Sequence, residues 1–143
     1  MTASATLDPV TADGARALER LATEKIGWLT SVDPHGQPYA SAIWFLWEDD
    51  EVLVYSHRRA PRNGNIEDNA RVAFNLHTDV GGGDYVSMEG SARIDTDAPP
   101  ADQHPVYLAK YADMIAGYGW TPEWFAAEYP VAVRVTPARW RLA

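Results

Sequence analysis

The sequence predicts a mainly β protein, a β-barrel with added helices. Three observations carry that expectation. Strand-like runs fill the first two thirds of the chain, and helical spacing appears before and after them. The run Tyr39 to Trp47 is apolar on both faces, with Tyr39, Ser41, Ile43, Phe45 and Trp47 on one and Ala40, Ala42, Trp44 and Leu46 on the other. A barrel fills its core with one face and leaves the other to be covered, which points to a partner subunit. The third observation is 6 Trp with 7 Tyr, which must serve as core, as walls of a planar-ligand site or as subunit interface.

Thr11 is a plausible N-cap, and Ala15, Leu18, Leu21 and Ala22 recur at helical spacing, predicting a helix from about Ala12 to Glu24. Ile26 to Val32 reads as a strand. Asp33-Pro34-His35-Gly36 is a turn, and Tyr39 to Trp47 is the second strand. Asp49-Asp50 makes a tight turn into Glu51 to Ser56. After a basic loop, Asn63 to Asn69 reads as a short helix or turn and Val72 to Thr78 as a strand. Gly81-Gly82-Gly83-Asp84 is a hairpin loop, followed by a strand from Tyr85 to Ile94 with Gly90 at a bulge or close approach. Pro105 opens a helix to about Ala116, and Pro122 opens another to Tyr129. Val131 to Thr136 is the last strand, with Trp140 in a basic tail.

At 143 residues the chain suits one domain, here 11–143, preceded by a flexible stretch 1–10. A net charge of −8 argues against nucleic-acid binding, which calls for a basic patch or stripe. No cysteine is present, which removes thiolate metal sites and a Cys nucleophile. No apolar run approaches the roughly 20 residues of a membrane span. The first nine residues lack signal-peptide character, so the expected location is the cytoplasm.

Against that acidic background, His57-Arg58-Arg59-Ala60-Pro61-Arg62 gathers three of the 12 basic residues at a strand end. Arginine forks match phosphate or carboxylate oxygens, and Asn63, Asn65 and the amides opening the next helix add neutral donors. The alternative is a solvated loop whose arginines pair with Glu67, Asp68 or more distant acids. No P-loop and no nucleophile elbow occur, and no catalytic side chain is identifiable. His77-Thr78-Asp79 lacks a nearby third ligand, so no metal site is expected. His35 reads as exposed, and His104 as a cap or surface residue.

Leu29 to Pro38 followed by Ile43-Trp44-Phe45-Leu46-Trp47 resembles the opening strands of the pyridoxamine 5'-phosphate oxidase-like split-barrel family. More narrowly, it is similar to that superfamily's deazaflavin (coenzyme F-420)-dependent reductases. Tyr55-Ser56, Arg62, Asn65-Ile66 and Asn69 to Ala73 resemble the phosphate-contacting loop and the strand after it. Asp84 to Val86, Glu89 to Ala92 and Val133 to Pro137 fit as well.

The resemblance implies a split β-barrel homodimer with cofactor sites at the subunit interface. It places Ser41, Ile43 and Trp44 beside the ring system and Tyr55, Ser56, Arg62 and Asn65 at the phosphate end. Where the family often reads Arg-x-Lys-x-Arg-Asn, this chain has Ala60-Pro61-Arg62-Asn63-Gly64-Asn65. Two basic positions are thus Ala60 and Gly64, and Arg58 and Arg59 are close enough to compensate.

The implied activity is hydride transfer from reduced F-420 to an enone, quinone or tetrapyrrole. Solvent, a Tyr or a His would supply the proton. The segments Val80 to Asp84 and Tyr118 to Tyr129 would shape the substrate pocket. The alternatives are an FMN-dependent oxidoreductase and a non-catalytic binder of a flavin, deazaflavin or haem-like ligand.

Overall fold

The computed structural model describes residues 5–143. The expected flexible start therefore falls in part on residues 1–4, outside the described residues. Ala5 donates its N–H to the Pro137 carbonyl at 2.8 Å and accepts from the Trp140 indole at 3.2 Å.

The elements are α1 (Ala12–Thr23), β1 (Ile26–Val32), β2 (Pro38–Trp44), β3 (Leu46–Glu48), β4 (Glu51–Ser56), α2 (Pro61–Asp68), β5 (Arg71–Asn75) and β6 (Val86–Ile94). A 3-10 turn (Ala101–Gln103) follows, then α3 (Pro105–Gly117), α4 (Pro122–Glu128) and β7 (Val131–Leu142). The antiparallel sheet has the order β2-β1-β5-β6-β7-β4-β3. Its two outermost strands, β2 and β3, are consecutive in the chain and meet at Phe45, so the sheet curls back on itself as a split barrel.

The expected single strand from Tyr39 to Trp47 is therefore two. Its break has a definite cause. Phe45 turns its ring fully into the barrel, edge-on to Phe74 at 5.1 Å. Its backbone leaves the sheet ladder and is satisfied from α3 instead. The Tyr111 hydroxyl accepts the Phe45 N–H at 2.8 Å and offers its proton to the carbonyls of Lys25 (2.7 Å) and Phe45 (2.8 Å). The Lys110 ammonium donates to the same Phe45 carbonyl at 2.7 Å.

Local sequence explains the remaining elements. The Thr11 hydroxyl caps α1 by accepting from Gly14 N at 3.0 Å, and Ala17 and Leu21 bury that helix against the barrel. Asp49 and Asp50 both hold positive φ (54° and 58°), as the two-residue β3–β4 hairpin turn requires. The imidazole of His104 caps α3. Its Nδ1 accepts the Tyr107 N–H at 3.2 Å, which leaves the ring proton on Nε2, 3.0 Å from Glu48. Glu48 also pairs with Arg134 at 2.9 Å, and Arg134 with Asp95 at 2.7 Å, tying α3 to the barrel.

Two strand ends differ from expectation. β5 stops at Asn75, short of Thr78. β7 continues past Thr136 to Leu142, so Trp140 is a strand residue, edge-on to Trp47 at 5.9 Å. Pro137 conceals this continuation in the sequence because it lacks an N–H for the ladder. The pairing shifts there, Gly90 facing Pro137 and Glu89 facing Arg139, so Ala138 is the extra residue. A Cβ on Gly90 would lie 2.4 Å from the Thr136 carbonyl oxygen. Gly90→Ala is expected to cost about 1–3 kcal/mol in a urea titration, as overpacking against backbone does.

Two apolar clusters result. One fills the barrel around Leu29, Phe45, Phe74, Met88 and Val133. The other lies between β4 and the helices α3 and α4, around Tyr55, Tyr107, Tyr111 and Phe125. Trp44 and Leu46, expected to need a partner subunit over them, pack in this second cluster under the chain's own helices. Ala40 and Ala42 remain exposed.

Candidate functional site

α2 begins where β4 ends, with Pro61 in its first turn. That start sends Arg62 back across the strand end. Its Nη1 donates to the Ser56 hydroxyl and its Nη2 to the Ser41 hydroxyl, both at 2.8 Å. The buried Nε has no partner, and among the described residues no carboxylate pairs with this guanidinium. Burial presses its pKa below the usual arginine value, and the phenols of Tyr39 and Tyr129 oppose that shift. An arginine nonetheless stays protonated in a protein. A half-buried cation held only by two hydroxyls is an incomplete arrangement, because buried charges are normally paired.

Beside Arg62 lies a cavity of about 260 Å³. Ala42, Ile43 and Trp44 of β2 and Val54 and Tyr55 of β4 line it. Tyr118, Trp120, Phe125 and Tyr129 line it too, with Phe125 stacked directly on Trp44 at 5.5 Å and 15°. Many of these rings lie in near-parallel layers. Trp44 stacks on Tyr111 at 4.9 Å and 2°, Phe125 on Tyr129 at 4.5 Å and 14°, and Tyr118 on Trp120 at 4.7 Å and 21°. A cavity lined by aromatic rings, with a cation among its lining residues, suits a planar ligand carrying an anionic group.

Of the residues singled out in the sequence, Ile43, Trp44, Tyr55 and Arg62 line this cavity. Ser41 and Ser56 stand behind it and aim Arg62. The Tyr55 hydroxyl donates to the Pro99 carbonyl at 2.7 Å, and burial pushes its pKa up to about 12. Asn65 is buried, and its side-chain amide donates to the Ser31 hydroxyl at 3.2 Å. Arg59 is exposed and joins no ion pair among the described residues. Arg58 and His57 both reach Glu128, at 3.3 Å each, so the acid meeting this loop comes from α4 rather than from Glu67 or Asp68.

The segment Tyr118 to Tyr129 supplies four aromatic walls, whereas Val80 to Asp84 contributes none. Asp84 pairs instead with Arg16 at 2.7 Å. The run Tyr118-Gly119-Trp120 with Phe125 and Tyr129 is the signal that marks these lining rings, and only its aromatic density shows in sequence. Among the described residues, no three His, Asp or Glu side chains are grouped to hold a metal ion, and no helix is long and apolar enough to cross a membrane.

The family model for pyridoxamine 5'-phosphate oxidase matches residues 14–143. The chain belongs to the pyridoxamine 5'-phosphate oxidase family. No curated protein matches it. Solved structures share the family's fold. A candidate pyridoxamine 5'-phosphate oxidase from Listeria innocua is 19% identical, with a TM-score of 0.69 over 90% of this chain and 95% of that one. An F-420 reductase is 22% identical, with a TM-score of 0.63 over 86% and 94%. A FAD-binding protein from Mesorhizobium loti is 18% identical, with a TM-score of 0.66 over 92% of each chain.

Proposed function

We propose that this member of the family is an oxidoreductase that draws a hydride from reduced coenzyme F-420 and delivers it to an electron-poor organic substrate of the enone, quinone or tetrapyrrole type. The observation that carries this reading is Arg62, a half-buried cation without a carboxylate among the described residues, lining an aromatic cavity in a chain of net charge −8. An anionic ligand group completes its coordination. The resemblance of the strands to deazaflavin-dependent reductases and the F-420 reductase among the structural neighbours favour the deazaflavin. The FAD-binding neighbour supports the alternative, FMN in the same slot.

The residues present fit such a cofactor. Arg62, aimed by Ser41 and Ser56, meets the phosphate, with Asn65 bracing α2 behind it and Arg59 at the solvent edge. Ile43, Trp44 and the ring of Tyr55 flank the planar system. When bound, the reduced cofactor supplies the hydride. The aromatic walls orient the reactants and keep water out, so no nucleophilic side chain is needed. Anaerobic mixing of the protein and reduced F-420 with a panel of quinones and enones tests the activity. Re-oxidation of the cofactor that needs both protein and substrate is expected. Binding without turnover across the panel would make the chain a carrier instead.

The site also belongs at a subunit interface. On the outer face of the sheet, Trp28 of β1 lies beside Ala42 of β2 and Asn75 of β5, and Thr30 lies beside Ala40 and Ala73. Trp28 keeps 38% of its surface exposed, and Ala40 and Ala42 are bare. Ala42 also lines the cavity, so a second copy seated on this face closes the mouth of the slot. Light scattering is expected to give a dimer for the wild-type chain and a monomer for Trp28→Glu. A monomeric wild type would remove the interface from the proposal.

A further inference from the structure

A second cleft, of about 390 Å³, is lined by Ala126 of α4, by the start of β7 and by the connection that follows β6. It shares only Tyr55 with the cavity at Arg62, and its chemistry is the reverse. No arginine, lysine or histidine lines it, and Asp95 is the one charged residue that does, among the described residues. Pro99, Pro100 and Pro130 belong to the lining and have no backbone N–H to offer. The Tyr55 hydroxyl is spent on the Pro99 carbonyl at 2.7 Å, which leaves Thr96 as the lining side chain with a donor to give. Ile94, Ala126 and Val131 add apolar surface.

The carboxylate at this cleft is not neutralised. Asp95 and Glu48 share Arg134, at 2.7 and 2.9 Å, so two carboxylates meet one guanidinium. His104 does not make up the difference. Its Nδ1 accepts the Tyr107 N–H, so the ring that donates to Glu48 is neutral. One negative charge is left over for the group. Asp95 also keeps acceptor capacity, since Oδ1 takes the Asp97 N–H at 2.9 Å and Oδ2 the Arg134 Nε at 2.7 Å, out of about four lone-pair directions.

A donor-poor apolar cleft with residual negative charge gives an anion little to bind. It matches an apolar body that carries positive charge and N–H donors. We propose that this cleft binds a small organic ammonium, its body against Ile94, Ala126 and Val131 and its N–H directed to Asp95. The occupant is a different molecule from the anionic ligand at Arg62, and the site does not depend on that ligand's identity.

The test is calorimetry on the whole protein at pH 7 with three probes of one shape: 1-adamantylammonium, 1-adamantanol and 1-adamantanecarboxylate. The ammonium is expected to bind with a dissociation constant below about 1 mM, about three- to fivefold tighter than the alcohol, with the carboxylate weakest. Asp95→Asn keeps the shape and removes the charge, so it should erase the difference between ammonium and alcohol. Ala126→Leu, at a half-buried lining position, narrows the cleft and should weaken both severalfold. The order of the three probes is read on the wild-type chain, so it decides the matter even if Asp95→Asn folds poorly. No saturable binding of the ammonium would overturn the proposal. So would a carboxylate that binds as tightly as the ammonium, or an ammonium affinity indifferent to either substitution.

Discussion

Tyr111→Phe is expected to lower the unfolding free energy by about 2–4 kcal/mol. The ring is fully buried and parallel to Trp44, and Phe preserves that packing. What disappears is the oxygen that accepts the Phe45 N–H and bridges to the carbonyls of Lys25 and Phe45. The Phe45 carbonyl keeps Lys110. Its N–H keeps nothing, and an orphaned buried donor costs about 1–3 kcal/mol on top of the lost bonds. Urea titration of the two proteins measures the difference, and a change below about 0.5 kcal/mol would show that Tyr111 does not hold the β2–β3 break. The break also turns Trp44 towards the slot, so ligand affinity should fall in the same variant.

Arg62→Met is expected to separate binding from folding. If Arg62 meets a phosphate, its loss weakens cofactor binding by about 1–3 kcal/mol, roughly ten- to a hundredfold. The unliganded protein should lose no more than about 1 kcal/mol, because only hydrogen bonds to two hydroxyls go and no ion pair is broken. Arg134 is the contrast. It is bound by both Glu48 and Asp95, so Arg134→Met leaves two carboxylates without their cation and should damage stability while sparing the slot. A structural Arg62 would behave like Arg134, with a large loss of stability.

The parts of the fold that are legible in the sequence are those written in local chemistry. The cap at Thr11, the Asp49-Asp50 turn, the prolines opening α3 and α4 and the bulge at Gly90 each appear where a short-range rule places them. The break at Phe45 is not of that kind. It depends on a tyrosine 66 residues away in sequence, and no local pattern announces such a partner. β7 reads short in sequence for a related reason, since Pro137 looks like a terminus until the bulge opposite Gly90 accommodates it.

The candidate site divides in the same way. Arg62 stands out by charge alone. That it is the loop arginine lacking a carboxylate and turned inward, while Arg58 pairs with Glu128 and Arg59 faces solvent, follows only from the approach of α4 to the end of β4. Asn65 is legible by residue type, whereas its hydrogen bond to the Ser31 hydroxyl, 34 residues away in sequence, is not.

The most direct test of the central claim is a fluorescence titration of the wild-type protein and Arg62→Met with F-420 and, separately, with FMN. Saturable quenching by F-420, tighter than FMN and at least about tenfold weaker in Arg62→Met, is the expected result. Tight FMN binding with no binding of F-420 would contradict the deazaflavin assignment. An unchanged dissociation constant in Arg62→Met would contradict the site itself.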